Sequence, residues 1–249
     1  MSMEMDADTI ATISNNIAND QHGVGIRVGL EDLMGLDFDN KTKSLLSRTR
    51  CDYSDADLII DLGAPNFEPI DAFQTALTSL LGNLQAIEKF RNLVFIGTAI
   101  PESMGDISQV GASLPRWDWI LYQKLLDCLE PKIVAPIFGD YTITHPDFVA
   151  LDMRKIKAPG KVVYTTEKSW EVLKGGAFRD NPEQMHDHCK AIVDSKYFRG
   201  PDFSPGDKYI AKCAEREVGP SNLTRWKRVG VNHHMSVVLD DLANLHGVA

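Results

Sequence analysis

Apolar positions along the chain alternate between a helical and an extended rhythm. Ile10, Ile13 and Ile17 share one helical face, with acidic Asp6 and Asp8 ahead of them where the helix dipole favours negative charge. Residues 23–30 read as a short strand ending at Glu31 and Asp32. Residues 38–48 suit a polar helix, and residues 56–62 a second strand stopped by Gly63 and Pro65. Phe73, Leu77, Leu80, Leu81, Leu84, Ile87 and Phe90 make one apolar stripe, which predicts a helix over 70–91. A third strand follows over 93–97, a loop over 102–114 and a helix over 116–130. Residues 132–138 predict a fourth strand, in which Pro136 removes a ladder donor and calls for a bulge. Residues 161–165 give a fifth. Asn181 and Pro182 open a helix that runs to about residue 195. A turn-rich loop over 201–206 precedes helices over 207–217 and 236–245.

Strand–helix alternation with near-continuous apolar strands predicts a mostly parallel sheet sheathed by helices. The run Leu58-Ile59-Ile60 is apolar on both faces, as cover on both sides requires. The expected class is α/β: a partial or incomplete TIM-like (β/α) barrel, since five strands fall short of the eight that close one. The expected organisation is a single domain over 1–249, with a helical or loop-rich subdomain from about residue 176. An open parallel edge needs covering or pairing, so a homo-oligomer is an expectation.

Composition then narrows the classes. The 249 residues, 43% of them hydrophobic and 24% charged, are enough for a sizeable core. A formal net charge of −9 disfavours bulk attraction to nucleic acid or anionic membrane. Four widely spaced cysteines without a Cys-x-x-Cys pair read as reduced thiols, and acidic Glu4, Asp6 and Asp8 near the N-terminus do not suit a secretory n-region. With no apolar run near the roughly 18 residues that span a bilayer, the expectation is a cytoplasmic protein.

Ligands of parallel α/β folds collect at the carboxyl ends of the strands. That rule selects Glu31 with Asp32, Asp61, Asp140 with Tyr141 and His145, and Thr166 with Glu167. Glu31, Asp61 and Asp140 on one rim would hold a divalent cation such as Mg or Mn, or supply an acid and a base. The plain alternative is that each caps a helix or holds a loop. Asp140 follows Gly139, which permits a tight strand exit, and Tyr141 would stack on a ring or donate a hydrogen bond; an Asx-turn is the other reading. His233 is a candidate proton-transfer group and Asn232 a candidate ligand contact. Set against that is a loop in which Asn232 or Ser236 caps the last helix. Trp170 and Lys174, ahead of Gly175-Gly176, would hold a base and a phosphate, although P-loop spacing is missing and Trp170 also suits a core. Trp226 and Arg228 lie in the basic stretch 225–228, a phosphate site or a solvated turn. His186, His188 and Cys189 lack the shared-face spacing of zinc ligands, and Cys189 suits a core with Met185, Ile192 and Val193.

Several blocks recur together in a fixed order. They are Pro115-Arg116-Trp117-Asp118-Trp119 with Tyr122, Phe138-Gly139-Asp140-Tyr141, Tyr164-Thr165-Thr166 with Trp170, and Gly175-Gly176. Phe203-Ser204-Pro205-Gly206-Asp207-Lys208-Tyr209-Ile210 follows, then Trp226 with Gly230-Val231-Asn232-His233-His234-Met235. In these blocks, from about residue 25 to 242, the chain resembles the phage-associated "beta protein" family. The resemblance implies a barrel-type α/β fold found in bacteria and their phages and brings no assigned reaction. Family members carry further strand–helix units ahead of the segment matching residue 25, so the chain is expected to lack about three. Two functions follow as expectations. One is a binding protein of phage–host conflict, with an unknown protein or nucleotide ligand contacted through residues 203–209 and 225–234. The other is a metal-assisted, phosphodiesterase-like hydrolase built on Glu31, Asp61 and Asp140, with His145 or His233 moving a proton.

Overall fold

The structure is a computed structural model and describes residues 1–2, 5–105, 107, 111–147 and 157–247. Glu4 and part of the expected 102–114 loop lie outside them. In chain order the first half holds α1 (Ala7–Asp20), β1 (Val24–Val28), α2 (Leu30–Met34), α3 (Phe38–Thr49), β2 (Ala56–Asp61) and α4 (Ile70–Gly82). Then come β3 (Asn92–Gly97), β4 (Ala112–Pro115), α5 (Trp117–Cys128) and β5 (Ile137–Asp140). The remainder holds β6 (Pro159–Thr165), β7 (Ser169–Ala177), α6 (Gln184–Val193), α7 (Pro205–Ala214) and α8 (Leu223–Leu245). The chain divides into two compact units, one of residues 1–99 and 117–141, the other of residues 100–116 and 142–249.

The first unit is a four-stranded sheet in the order β1-β2-β3-β5, parallel at every pairing. Burial alternates along β1, β2 and β3. Ile26, Val28, Leu58, Ile60, Leu93 and Phe95 join one core with Leu45 and Leu46 of α3, Leu77 and Leu81 of α4, and Leu121 and Leu125 of α5. Each such side chain contributes roughly 1.5–3 kcal/mol. The intervening residues, Ile59 and Val94 among them, are half-buried, so the apolar run at 58–60 has full helical cover on one face only.

The second unit is a three-stranded antiparallel sheet, order β4-β7-β6, with α6, α7 and α8. Tyr164, Val162, Met185, Cys189, Ile192, Ile210, Cys213 and Trp226 form its core. β6 has a free edge, and α8 lies along it: His233 Nε2 sits 2.8 Å from the Thr165 carbonyl oxygen. A helix is one way to cover an exposed strand edge.

The expected α/β class holds, with a parallel four-stranded sheet; among the described residues no closed barrel is found. The fifth expected strand, β6, is not parallel to the others' order. Only residues 166–168 join it to β7, and a parallel crossover needs a dozen or more, so the two form a hairpin. β7 itself carries Trp170, Lys174 and Gly175-Gly176. There Gly175 leaves room for α6, because a Cβ at that position would meet the Gln184 side-chain oxygen at 1.8 Å. β4 lies inside the expected 102–114 loop and is held by β7. The stripe over 70–91 breaks at Asn83, and Ile87 returns in a short 3₁₀ turn, Ile87–Lys89. The fourth strand begins at Ile137, so Pro136 precedes it and no bulge is needed. The last helix starts thirteen residues earlier than position 236, capped by Asn222, whose side chain accepts from Arg225 N. Neither Asn232 nor Ser236 caps it.

α7 and α8 meet at Gly206. A Cβ there would come within 2.7 Å of the Val229 carbonyl oxygen, and backbone cannot swing aside as a side chain can. Gly206→Ala is expected to lower stability by about 1–3 kcal/mol in urea unfolding, as overpacking does. An unchanged midpoint would show that the helices part freely.

Candidate functional site

Three residues missed or only partly seen in the sequence meet at the carboxyl end of the parallel sheet. Arg27 is the penultimate residue of β1, Asp61 ends β2, and Tyr141 follows β5. Arg27 Nε donates to Asp61 Oδ2 at 2.6 Å, and Arg27 Nη2 pairs with the same oxygen. The Tyr141 hydroxyl donates to Asp61 Oδ2 at 2.6 Å and accepts from Arg27 Nη2 at 3.0 Å. Asp61 Oδ1 accepts from Gly63 N at 2.9 Å. The carboxylate side chain is 8% exposed and the guanidinium side chain 61%. Asp61 therefore acts as a buried anchor that orients an exposed Arg27. Its hydrogen bond and charge hold Arg27 above the ordinary arginine range, while burial and then Asp61 raise the Tyr141 hydroxyl. Both groups stay protonated at neutral pH.

The other expected carboxylates do not complete an ion site with Asp61. Glu31 is exposed in the first turn of α2, and Asp140 is half-buried at the end of β5. Among the described residues no three His, Cys, Asp or Glu side chains gather so as to hold a metal ion. A cation at Asp61 would have to displace Arg27 and Tyr141. Asp32 caps its own helix by accepting from Gly29 N at 2.9 Å, and His145 Nδ1 accepts from Asp147 N at 3.1 Å. Thr166 and Glu167 lie in the β6–β7 turn, where their carbonyls accept from Arg116 Nη1 at 2.8 and 3.1 Å.

The remaining candidates all belong to the second unit, and most are buried. His233 is fully buried, with Nδ1 2.8 Å from Asp207 Oδ2 and Nε2 on the Thr165 carbonyl. Both ring nitrogens are taken up by these partners, and neither faces a ligand. The Tyr164 hydroxyl donates to Asp207 Oδ1 at 2.8 Å and the Ser204 hydroxyl to Oδ2 at 2.5 Å. Asn232 Oδ1 accepts from Gly206 N at 2.7 Å, tying α8 to α7. Trp170 is buried beside His234, and Trp226 is buried with its indole N–H donating to Pro220 O at 2.7 Å. Lys174 donates to the carbonyls of Met104, Gly105 and Ile107, each at 2.8 Å. Arg228 is exposed on α8. His186 Nδ1 lies 2.6 Å from the Cys213 carbonyl, and Cys189 packs beside Met185 and Ile192.

The family model described as Beta protein matches residues 2–240. The chain belongs to the Beta protein family. No curated protein and no solved structure matches it. As a Beta protein family member it thus brings the order of its sequence blocks, and the chemistry must come from the residues themselves. Among the described residues no helix is long and apolar enough to cross a membrane.

Two signals in the sequence point to the residues that were missed. Arg27 interrupts the apolar strand Val24–Val28 one position before its carboxyl end, on the face opposite Ile26. Ser204-x-x-Asp207 is a capping-box spacing. Here Asp207 N donates to Ser204 Oγ at 3.1 Å, while the Asp207 carboxylate turns inward to His233.

Proposed function

We propose that this protein is a binding protein of phage–host conflict that captures an anionic group, a phosphate or a carboxylate, on Arg27. The carrying observation is the geometry of that guanidinium. Asp61 and Tyr141 engage Nε and Nη2 and leave Nη1 to other partners, on a largely exposed side chain. A charged guanidinium held in one orientation, with the Nη1 donors not used by Asp61 or Tyr141, suits charge-assisted hydrogen bonding to an oxyanion. The place fits as well, since parallel sheets gather ligands at their strands' carboxyl ends. A cavity of about 10 Å³ below β3 and β5, lined by Leu62, Phe95, Leu121, Leu125 and Phe138, is far smaller than the ~300–1,000 Å³ of ordinary ligand pockets. Recognition at the surface fits that better than enclosure of a whole small molecule. The resemblance to a phage-associated family supports the conflict setting.

Thermal unfolding with added anions tests the proposal. Pyrophosphate or ATP, or an acidic peptide if the ligand is protein, should stabilise the chain. At one hundred times its dissociation constant a ligand adds ~2.7 kcal/mol. Arg27→Met should abolish the shift and Tyr141→Phe should weaken it. No stabilisation by any of the three anions, or an equal shift in Arg27→Met, would rule the proposal out. Stabilisation by Mg or Mn alone, lost in Asp61→Asn, would instead favour the metal-assisted hydrolase.

A further inference from the structure

Lys161 of β6 and Lys174 of β7 are directly opposite in the antiparallel register, so their side chains leave the same face of the sheet. Like charges so placed repel each other. Lys174 is compensated: its three carbonyl partners use all three of its N–H donors. Among the described residues Lys161 is compensated far less. Its Nζ lies 3.2 Å from the Met104 sulfur, a weak acceptor, and its side chain is half-buried. Among the described residues the charged groups that act on it are Lys174 across the ladder and Lys227 from α8, both cations. Burial first, then these two charges, push the Lys161 ammonium below the ordinary lysine range. An amine that is desolvated and set among cations is the arrangement that frees a lysine lone pair at neutral pH.

We propose that Lys161 is a nucleophilic amine that forms an imine with an anionic carbonyl compound, an aldehyde or ketone bearing a phosphate or carboxylate. The Nζ lone pair adds to the carbonyl carbon, giving a carbinolamine. The former carbonyl oxygen takes the two amine protons and leaves as water, and the C=N bond forms. One neutral amine and one carbonyl thus yield one imine and one water. Lys227, exposed on α8, draws in the anionic end of the compound. Lys174 stays committed to its carbonyls beside the amine. This site is separate from the Arg27 rim and does not depend on it.

The test uses the native full chain and substoichiometric pyridoxal 5′-phosphate as the probe. Borohydride then adds hydride to the imine carbon and fixes the label as a secondary amine, which peptide mass spectrometry locates. At pH 7 Lys161 should take label several-fold faster than exposed Lys190 and Lys212, since a lowered pKa frees more of the amine. The lead should vanish in the urea-unfolded chain. Lys227→Met should reduce it several-fold, and pyridoxal without the phosphate should react more slowly. Labelling of Lys161 no faster than of Lys190 and Lys212, or a lead that survives unfolding, would overturn the proposal. Equal rates for pyridoxal and its phosphate would overturn its anionic half.

Discussion

Asp207→Ala is expected to cost about 3–5 kcal/mol of stability, the usual result of stripping one partner from a buried charge pair. Asp207 and His233 are both fully buried, and Asp207 also accepts from Tyr164 and Ser204. Removal leaves an imidazole, a phenol and a hydroxyl without their shared acceptor. Urea unfolding followed by circular dichroism measures the loss, and a cost below ~1 kcal/mol would show that the network is not ionic. The pair also sets a pH dependence. Burial raises the Asp207 carboxyl, but the hydrogen bond and charge of His233, with the Ser204 and Tyr164 hydroxyls, outweigh it and leave the pKa below the ordinary carboxylate value. A depressed carboxyl gives stability that is complete above the unfolded value near ~3.9 and is lost as pH falls through the folded one. Wild type should therefore lose more stability on acidification through that range than an Asp207→Asn variant does. Replacing Asp207 and His233 together with apolar residues of similar volume should recover much of the loss.

Arg116→Met is expected to be comparably severe, again about 3–5 kcal/mol. The Arg116 side chain is 0% exposed, and its Nη1 donates to Asp241 Oδ2 at 2.8 Å as well as to the two carbonyls of the β6–β7 turn. One guanidinium thereby joins the end of β4, the hairpin turn and α8. Asp241 titrates with the opposite sign to Asp207. Burial raises its pKa more than Arg116 lowers it. A raised carboxyl weakens the fold as pH climbs from the unfolded value to the folded one, because the unfolded chain ionises first. Without Arg116 that penalty grows. The Arg116→Met variant should fall furthest below wild type at neutral pH and approach it in acid. A deficit independent of pH would show that the loss is packing and carbonyl bonding alone.

Much of the first unit was legible because its information is local. Val24, Ile26 and Val28 against Gly25 and Arg27, or Leu58 and Ile60 against Asp57 and Asp61, set the strands and the buried face without a distant partner. The carboxyl-end rule then reached Asp61 and Tyr141, though with a cation where Arg27 stands. Arg27 escaped notice because an exposed basic residue in a strand looks the same alone as it does when pinned by a carboxylate 34 residues on.

The sequence by itself determined the family, through blocks in a fixed order, and the apolar faces of most strands and helices, through periodicity. Tertiary structure decided which strands share a sheet and which polar groups pair in the interior. Strand partnership depends on hydrogen bonds to another segment, and β7 shows no strong alternation until β6 and β4 are set beside it. The roles of Asp207, His233 and Arg116 arise because burial makes an unpaired charge costly, and burial is a property of the assembled chain.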